Sequence, residues 1–548
     1  MKTEDLDSRS SSLVDGDLAN DQGDNDASTN STEIKDTVIS TPCGEESTSV
    51  ETLSPTNANI TDKTPALIKA VNEGDIDRVK MLLDTEVNIN ITDECERTAL
   101  MMAASVGQTE CLQLLLDARA DIHITSNLGA TALIAAAENG HTGCLQLLLD
   151  AKANVNAANK GGETALMLAA YYGHAGCLQL LLDATADINA ANKDGATALI
   201  AAAKNGHTAC VQPLLDANAN VNATNKYGST ALSVAANTGH TECLQLLLDA
   251  KADIRVVDKH GATALIVAAH RGRTACLQLL LDAKANVNAM NKSGNTASLA
   301  SANQGHAECL QLLLNAKANV NAANENGDIA SILAASEGRT ACLQLLLAAK
   351  ADINTARMEG ETALMLAAIE GHPDCLQLLL DAKAGIETRN EEGFTALTLA
   401  AYVGHTACLQ LLVNAKADID APGKFGSPAL MMSANTGHTE CLQLLIDANA
   451  NVNATNIGGT TALIMAAGQG HPGCLQLLID AKADINTADE DGATALIGAA
   501  MNGHPECLQL LLDAKAKIDA MDKTGGTPSI MAAMKGQTAC LQLLLDAK

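Results

Sequence analysis

The side chains with the most chemical potential in this chain are its cysteines and histidines, and they recur together. Fourteen cysteines stand 33 residues apart, from Cys111, Cys144 and Cys177 through to Cys507 and Cys540. Ten of the 13 histidines precede such a cysteine by three residues, as His141 precedes Cys144. A Gly-His-x-x-Cys pair could be half of a zinc site, but zinc takes about four ligands at about 2.0 to 2.3 Å. The next pair lies a whole 33-residue interval away, so no metal site is expected. Disulfides are not expected either. Units of a helical stack lie roughly 8 to 10 Å apart, whereas a disulfide needs Cα atoms within about 7 Å. No GxxxxGK[ST], HExxH or GxSxG motif occurs, and the remaining histidines, His123, His260 and His270, have no distinctive partner. No catalytic residue and no cofactor are expected.

A lysine row, such as Lys152, follows each Cys-containing segment in ten of the fourteen copies, with Arg119 in another, and could hold phosphates as a basic ridge. Eleven of the fourteen copies place an Asp two residues earlier, as Asp150 precedes Lys152, which reads as a solvated charge row.

Elements must position these residues, and a fixed period of 33 marks stacked supersecondary units. The copy starting at Asn159 reads NKGGETALMLAAYYGHAGCLQLLLDATADINAA. In TALMLAA a Thr can cap a helix, apolar residues follow at helical spacing, and Gly173 supplies a left-handed end. CLQLLLDA makes a second helix, and Pro373, Pro472 and Pro505 fall in its first turn, where proline is tolerated. The rest contains a Gly turn between extended flanks and reads as a projecting hairpin-like loop. The fold class is therefore an all-α repeat solenoid of helix-turn-helix units, with about fifteen repeats over residues 63–548, the last one truncated.

Residues 1–62 are rich in Ser, Thr, Asp and Asn without periodicity, and are expected to form a disordered acidic tail. Within it, Thr41-Pro42 and Ser54-Pro55 are ordinary tail dipeptides that proline-directed kinases could also use. The net charge of −29 disfavours nucleic acid and anionic membrane as partners and favours neutral or basic proteins. No run approaches 18 apolar residues, the N-terminus lacks a signal-peptide core, and the cysteines read as thiols. A cytoplasmic or nuclear location is expected, which makes the sequons at Asn30 and Asn59 chance matches.

Over residues 64–548 the chain resembles the ankyrin repeat family. The residues that carry the likeness are Thr164-Ala165-Leu166-Met167, Ala169-Ala170, Gly173-His174, Leu178 to Leu182 and Ala186-Asp187-Ile188-Asn189. The resemblance implies that the His orients the turn between helices and that the Cys fills a buried aliphatic position. It also implies that Asn156, Asn189 and Asn222 bond the loop backbone, in a segment that some oxygenases hydroxylate. Two departures recur. Pro-Leu-His becomes Ala-Leu followed by Ile or Met, and the Gly after the second helix becomes Lys, as at Lys152, at about 1 kcal/mol per unit at most.

Irregular copies predict local weakness. Ser298, Ser331 and Ser529 replace the Leu of TAL, and losing a buried Leu costs about 2 to 5 kcal/mol. Pro213 lies inside a second helix and predicts a kink or fraying, at roughly 3 kcal/mol. The first copy carries Lys69, Asp75, Asp77, Arg78 and Lys80 as a polar outer face. The last resembles an internal copy, so a monomer is expected unless that end pairs.

Across the full copies, the second Ala of Ala-Ala, the turn Gly, the Cys and the Gln of CLQ never change. Four positions vary: those flanking the loop Gly, and the two residues before the helix-turn Gly. All six aromatics fall there: Tyr171, Tyr172, Tyr227, Phe394, Tyr402 and Phe425, none at a core position. In the resembled family these positions form the concave face that grips protein partners, and aromatic residues serve as interface anchors. Lys204, His270 and Arg271 join them as candidate contacts. Two patches are expected about seven repeats, or roughly 60 to 70 Å, apart. The expected function is a protein-binding scaffold; the alternative is a structural tether whose acidic tail makes the contacts.

Overall fold

The structure, a computed structural model, describes residues 63–85 and 87–547. The readings made for residues 1–62 lie outside the described residues, as does Lys548. Thirty α-helices follow one another, together with one short 3-10 turn at Lys424–Gly426, and no strand occurs among the described residues. Isolated antiparallel bridges, such as Ala158 with Thr164, close the loops. The chain divides into two compact units, one ending at Ala231 and one beginning at Leu232. Each unit is an all-α repeat solenoid. In the first, helices Ala99–Val106, Ala132–Glu138, Ala165–Tyr172 and Ala198–Asn205 pack in sequence; in the second, so do Ala264–His270 onward to Pro528–Met534.

Each short helix forms for reasons written into its ends. Thr164 is extended, at φ −94° and ψ 164°, and its Oγ1 accepts from Met167 N–H at 3.4 Å, satisfying a donor that has no intrahelical partner. Gly173 ends the helix at φ +80°. A Cβ there would lie 2.6 Å from Nδ1 of His207, so glycine is required both for its backbone and for the next repeat's imidazole. Between these ends Ala165 through Ala170 are all buried. Such helices are apolar all round, as befits layers covered on both sides.

The nine-residue helices between them bury one face. Cys177, Leu178 and Leu181 are fully buried, each Leu contributing about 1.5 to 3 kcal/mol. On the opposite face the unchanging Gln holds the end of its own helix. Gln179 Nε2 donates to Asp183 Oδ1 at 2.8 Å, and Gln311 makes the same bond to Asn315 at 3.0 Å where Asp is replaced. The Asp of the charge row is thus engaged along its own helix.

The row after these helices adopts the left-handed backbone that the missing glycine implies. Arg119, Lys152, Thr185, Asn218 and nine further residues through Lys515 have φ between 59° and 69°. Lys152 N–H bonds Leu149 O and Ala153 N–H bonds Leu148 O, both at 2.9 Å, the Schellman pattern that satisfies the last carbonyls.

Pro213 corrects an expectation. Its helix runs unbroken over Thr208–Asp216, the same nine residues as its counterparts. The missing N–H costs one bond near the helix start. Cys210 N–H turns to His207 O at 2.9 Å, and Ala209, whose carbonyl loses its partner, is exposed.

The serines that replace Leu differ from one another. Ser298 is 1 % exposed and its hydroxyl has no partner, as is also true of buried Ser301. Ser331 Oγ donates to Asp352 O at 3.2 Å, and Ser529 is only half-buried. In the first helix pair Lys69, Asp75, Asp77 and Lys80 are exposed.

Candidate functional site

The cysteine and histidine ladder serves the stack. Cys144 Sγ donates to Ala103 O of the preceding copy at 3.8 Å and lies 3.7 Å from Thr109 Oγ1. All fourteen ladder cysteines are buried free thiols, and burial pushes the Cys177 thiol up to about 11, far from the thiolate that reacts or binds metal. The histidines bond back by 36 residues: His141 Nε2 to Ser105 O, His174 to Glu138 O and His207 to Tyr171 O, each at 3.0 Å. A carbonyl only accepts, so Nε2 carries the proton. Where Arg replaces His the bond survives: Arg273 and Arg339 donate through Nε to Asn237 O and Asn303 O at 3.1 Å.

The loop asparagines also join neighbouring copies. Asn156 Oδ1 accepts from Asp187 N–H, and Asn189 Oδ1 from Asn220 N–H, both at 2.8 Å. Loop tips are tied in the same direction, as Lys193 N–H to Gly161 O at 2.9 Å. The repeated residues are therefore occupied by the stack.

In the first unit Tyr171 and Tyr172 end helix Ala165–Tyr172, half-buried, with ring centroids 4.9 Å apart at 82°, an edge-to-face pair. Tyr172 also stacks on His174 at 6.3 Å. Burial holds His174 below its ordinary value, so the imidazole under the tyrosine stays neutral at pH 7. Lys204 is half-buried at the end of helix Ala198–Asn205. Tyr227 stands on a loop tip. Lys226 lies 5.0 Å over its ring and 2.5 Å from Asp194 of the preceding tip.

Beside Tyr171, at the equivalent place one helix earlier, Glu138 has a buried Oε2 without a partner. Burial first, and then the charge of Glu163, push its carboxyl up to about 7. Sequence reasoning passed over Glu138 because a lone acid at a variable position carries no signal.

In the second unit His270 and Arg271 are half-buried. Arg271 Nε donates to Asn237 Oδ1 at 3.1 Å, and His270 O accepts from His306 Nε2 at 3.1 Å. Burial, and then Arg271 and His306, hold the His270 imidazole below its ordinary value. Tyr402 is half-buried against the core.

Phe394 departs from expectation. It is 8 % exposed and belongs to the core. The position itself faces inward: Asp328 and Glu361 in the two preceding copies and Ser427 in the next are 5 %, 8 % and 2 % exposed. Gly423, where most other loops carry Asn or Asp, alters the tip of its own loop. In the Tyr227 loop Asn225 Oδ1 accepts from Tyr227 N–H and Ser229 N–H at 2.9 Å, a turn that Gly423 cannot make. Phe425 instead takes φ +55° and stands 59 % exposed, a strained conformation costing about 1 to 2 kcal/mol. Lys424 lies 5.5 Å over its ring and 2.6 Å from Glu392.

Met358 and Ile457, at the position of that Lys in other loops, are 70 % and 74 % exposed. This position lies outside the four variable ones named from the sequence. Variation at this fifth one, from Lys to Glu, Met and Ile, was the available signal.

Paired helices stacked through repeated core residues, with variable side chains presented at loop tips and helix ends, define a helical repeat scaffold. A family model of ankyrin repeats, three copies long, matches in overlapping segments covering residues 43–548, and the chain belongs to the ankyrin repeat family. Ankyrin repeats are generally protein-interaction modules. No curated protein matches the chain in sequence. Among the described residues, no helix is long and apolar enough to cross a membrane.

Proposed function

We propose that this chain is a scaffold that grips a protein partner through the concave face of its ankyrin repeats. The observation that carries this reading is the placement of aromatic rings at variable, solvent-reached positions while the repeated residues are engaged in the stack. Tyr171 with Tyr172, and the tips at Tyr227 and Phe425, are the anchors, with Lys204, His270, Arg271 and Tyr402 as surrounding contacts. Phe394 supports the second patch from within the core. The net charge of −29 favours a neutral or basic partner.

The test compares capture from native lysate by the wild-type chain, by a Tyr171→Ala, Tyr172→Ala double variant, and by a chain lacking residues 1–62, with bound proteins identified by mass spectrometry. The double variant should lose the principal partner at an unchanged melting temperature, while the truncated chain keeps it. Retention by the double variant and loss by the truncated chain would transfer the function to the tail.

A further inference from the structure

The tips at Tyr227 and Phe425 differ in backbone, Phe425 alone having positive φ, but share one arrangement of side chains. In each, the aromatic residue is preceded by a lysine whose ammonium lies over the ring, at 5.0 Å for Lys226 and 5.5 Å for Lys424. In each, that ammonium pairs with a carboxylate on the preceding loop tip, Asp194 at 2.5 Å and Glu392 at 2.6 Å. Corresponding residues are separated by 198 positions, six intervals of 33, and one set stands in each compact unit. Among the loops of the array, only these two combine a Lys-aromatic pair (Lys-Tyr or Lys-Phe) with an acid at the matching place one copy earlier.

The constellation has a direct physical consequence. The carboxylate neutralises and anchors the lysine, and the lysine covers part of the ring through a cation–π contact. What remains for a partner is an aromatic surface held in place, next to an ammonium whose charge is balanced. Such a surface takes a large apolar side chain, with little gain from a charged one. The surroundings differ, since Ile457 N–H bonds Phe425 O at 2.9 Å and brings an exposed apolar side chain to that tip, and Tyr227 is half-buried where Phe425 is 59 % exposed. Shared recognition is therefore confined to a few residues.

We infer that the two tips are duplicate docking points for one short apolar-anchored motif, and that the partner presents this motif twice. The inference rests on the proposed scaffold function and specifies what the partner must offer. It differs from that function in depending on the tips and not on the Tyr171 and Tyr172 pair.

A library of random twelve-residue peptides, displayed one per phage, tests it against the full chain, Tyr227→Ala, Phe425→Ala and the double variant. One consensus with a large apolar residue should be enriched on the wild type and on both single variants, and lost from the double variant. The synthetic consensus peptide should then bind by calorimetry with a stoichiometry of two to the wild type and one to each single variant. Different motifs lost from the two single variants, or loss of all binding in one of them, would overturn the duplication. Enrichment of the same motif on the double variant, or of no motif on any chain, would overturn docking at the tips. Either result leaves the scaffold reading to stand or fall by the Tyr171→Ala, Tyr172→Ala capture experiment.

Discussion

The row of left-handed residues after the nine-residue helices permits a graded test of how backbone strain is distributed. Thr185 is the outstanding member, a β-branched residue at φ +59° in a region where such side chains are rare. The left-handed backbone costs an L-residue about 1 to 2 kcal/mol, and Thr belongs at the upper end. Thr185→Gly removes that strain and adds about 0.5 to 1 kcal/mol of unfolded-chain entropy, for a net gain of about 1 kcal/mol. Lys152→Gly relieves less strain and also removes a cation from a helix C-terminus, worth about 0.3 to 1 kcal/mol, so its net effect is close to zero. Asn218→Gly, which replaces a residue tolerant of this region, should also be near zero. Thr185→Asn should fall between. The local reporter is the Ala186 amide, which bonds Leu181 O at 3.0 Å across the turn. A gain of about 1 kcal/mol slows its native-state hydrogen exchange about fivefold, while the Ala153 amide one copy earlier keeps its rate. Equal gains at Lys152 and Thr185, or faster exchange in Thr185→Gly, would refute the assignment of strain to the β-branched side chain.

Three further outcomes follow from particular side chains. Glu138→Gln should stabilise the chain by about 1 to 2 kcal/mol at pH 8, discounted for the water that reaches the group. A carboxyl raised to about 7 holds its proton in the folded state when the unfolded chain has lost it, so wild-type stability falls as pH rises from about 4.5 to 7. The variant's advantage should therefore fade below pH 5 in urea titrations, and a pH-independent advantage would contradict the burial of the acid. Ser298→Ala should raise the denaturation midpoint by removing an unpartnered buried hydroxyl, worth about 1 kcal/mol. Ser331→Ala should not, because its hydroxyl bonds Asp352 O. His207→Ala should cost about 1 to 2 kcal/mol by orphaning Tyr171 O, and His207→Arg should recover most of that stability in the same titration, since Arg273 and Arg339 already do this work.

Much of the fold was legible because stacking repeats the same physical problem in every copy. Thr at the start of a helix, Gly at its end and the buried Cys and Leu answer local demands that are read from one repeat and checked against the others. The left-handed row was legible for the same reason: Lys152 stands where the turn needs positive φ whatever the residue. Pro213 was misread because interior proline in an isolated helix is judged by the bond it removes. Here the lost bond falls near the helix start, at an exposed residue, within a stack that holds the helix on its buried face.

The sequence by itself determined the period, the helix pairs, the burial of the cysteine ladder and the positions free to vary. These follow from propensity, capping and patterning that act over a few residues. Tertiary structure decided what the variable residues became, since that depends on neighbours 30 or more residues away. Packing against neighbouring copies drew Phe394 into the core, and Gly423, lacking the Asn side chain, left Phe425 in a strained, exposed tip. Asp194 and Glu392 each captured a lysine from the following loop and set it over an aromatic ring. Glu138 was left with a buried, unpartnered Oε2 at the end of its helix and became a weaker acid. Contacts between copies, invisible within any single repeat, turned a regular array into one with particular places on its surface.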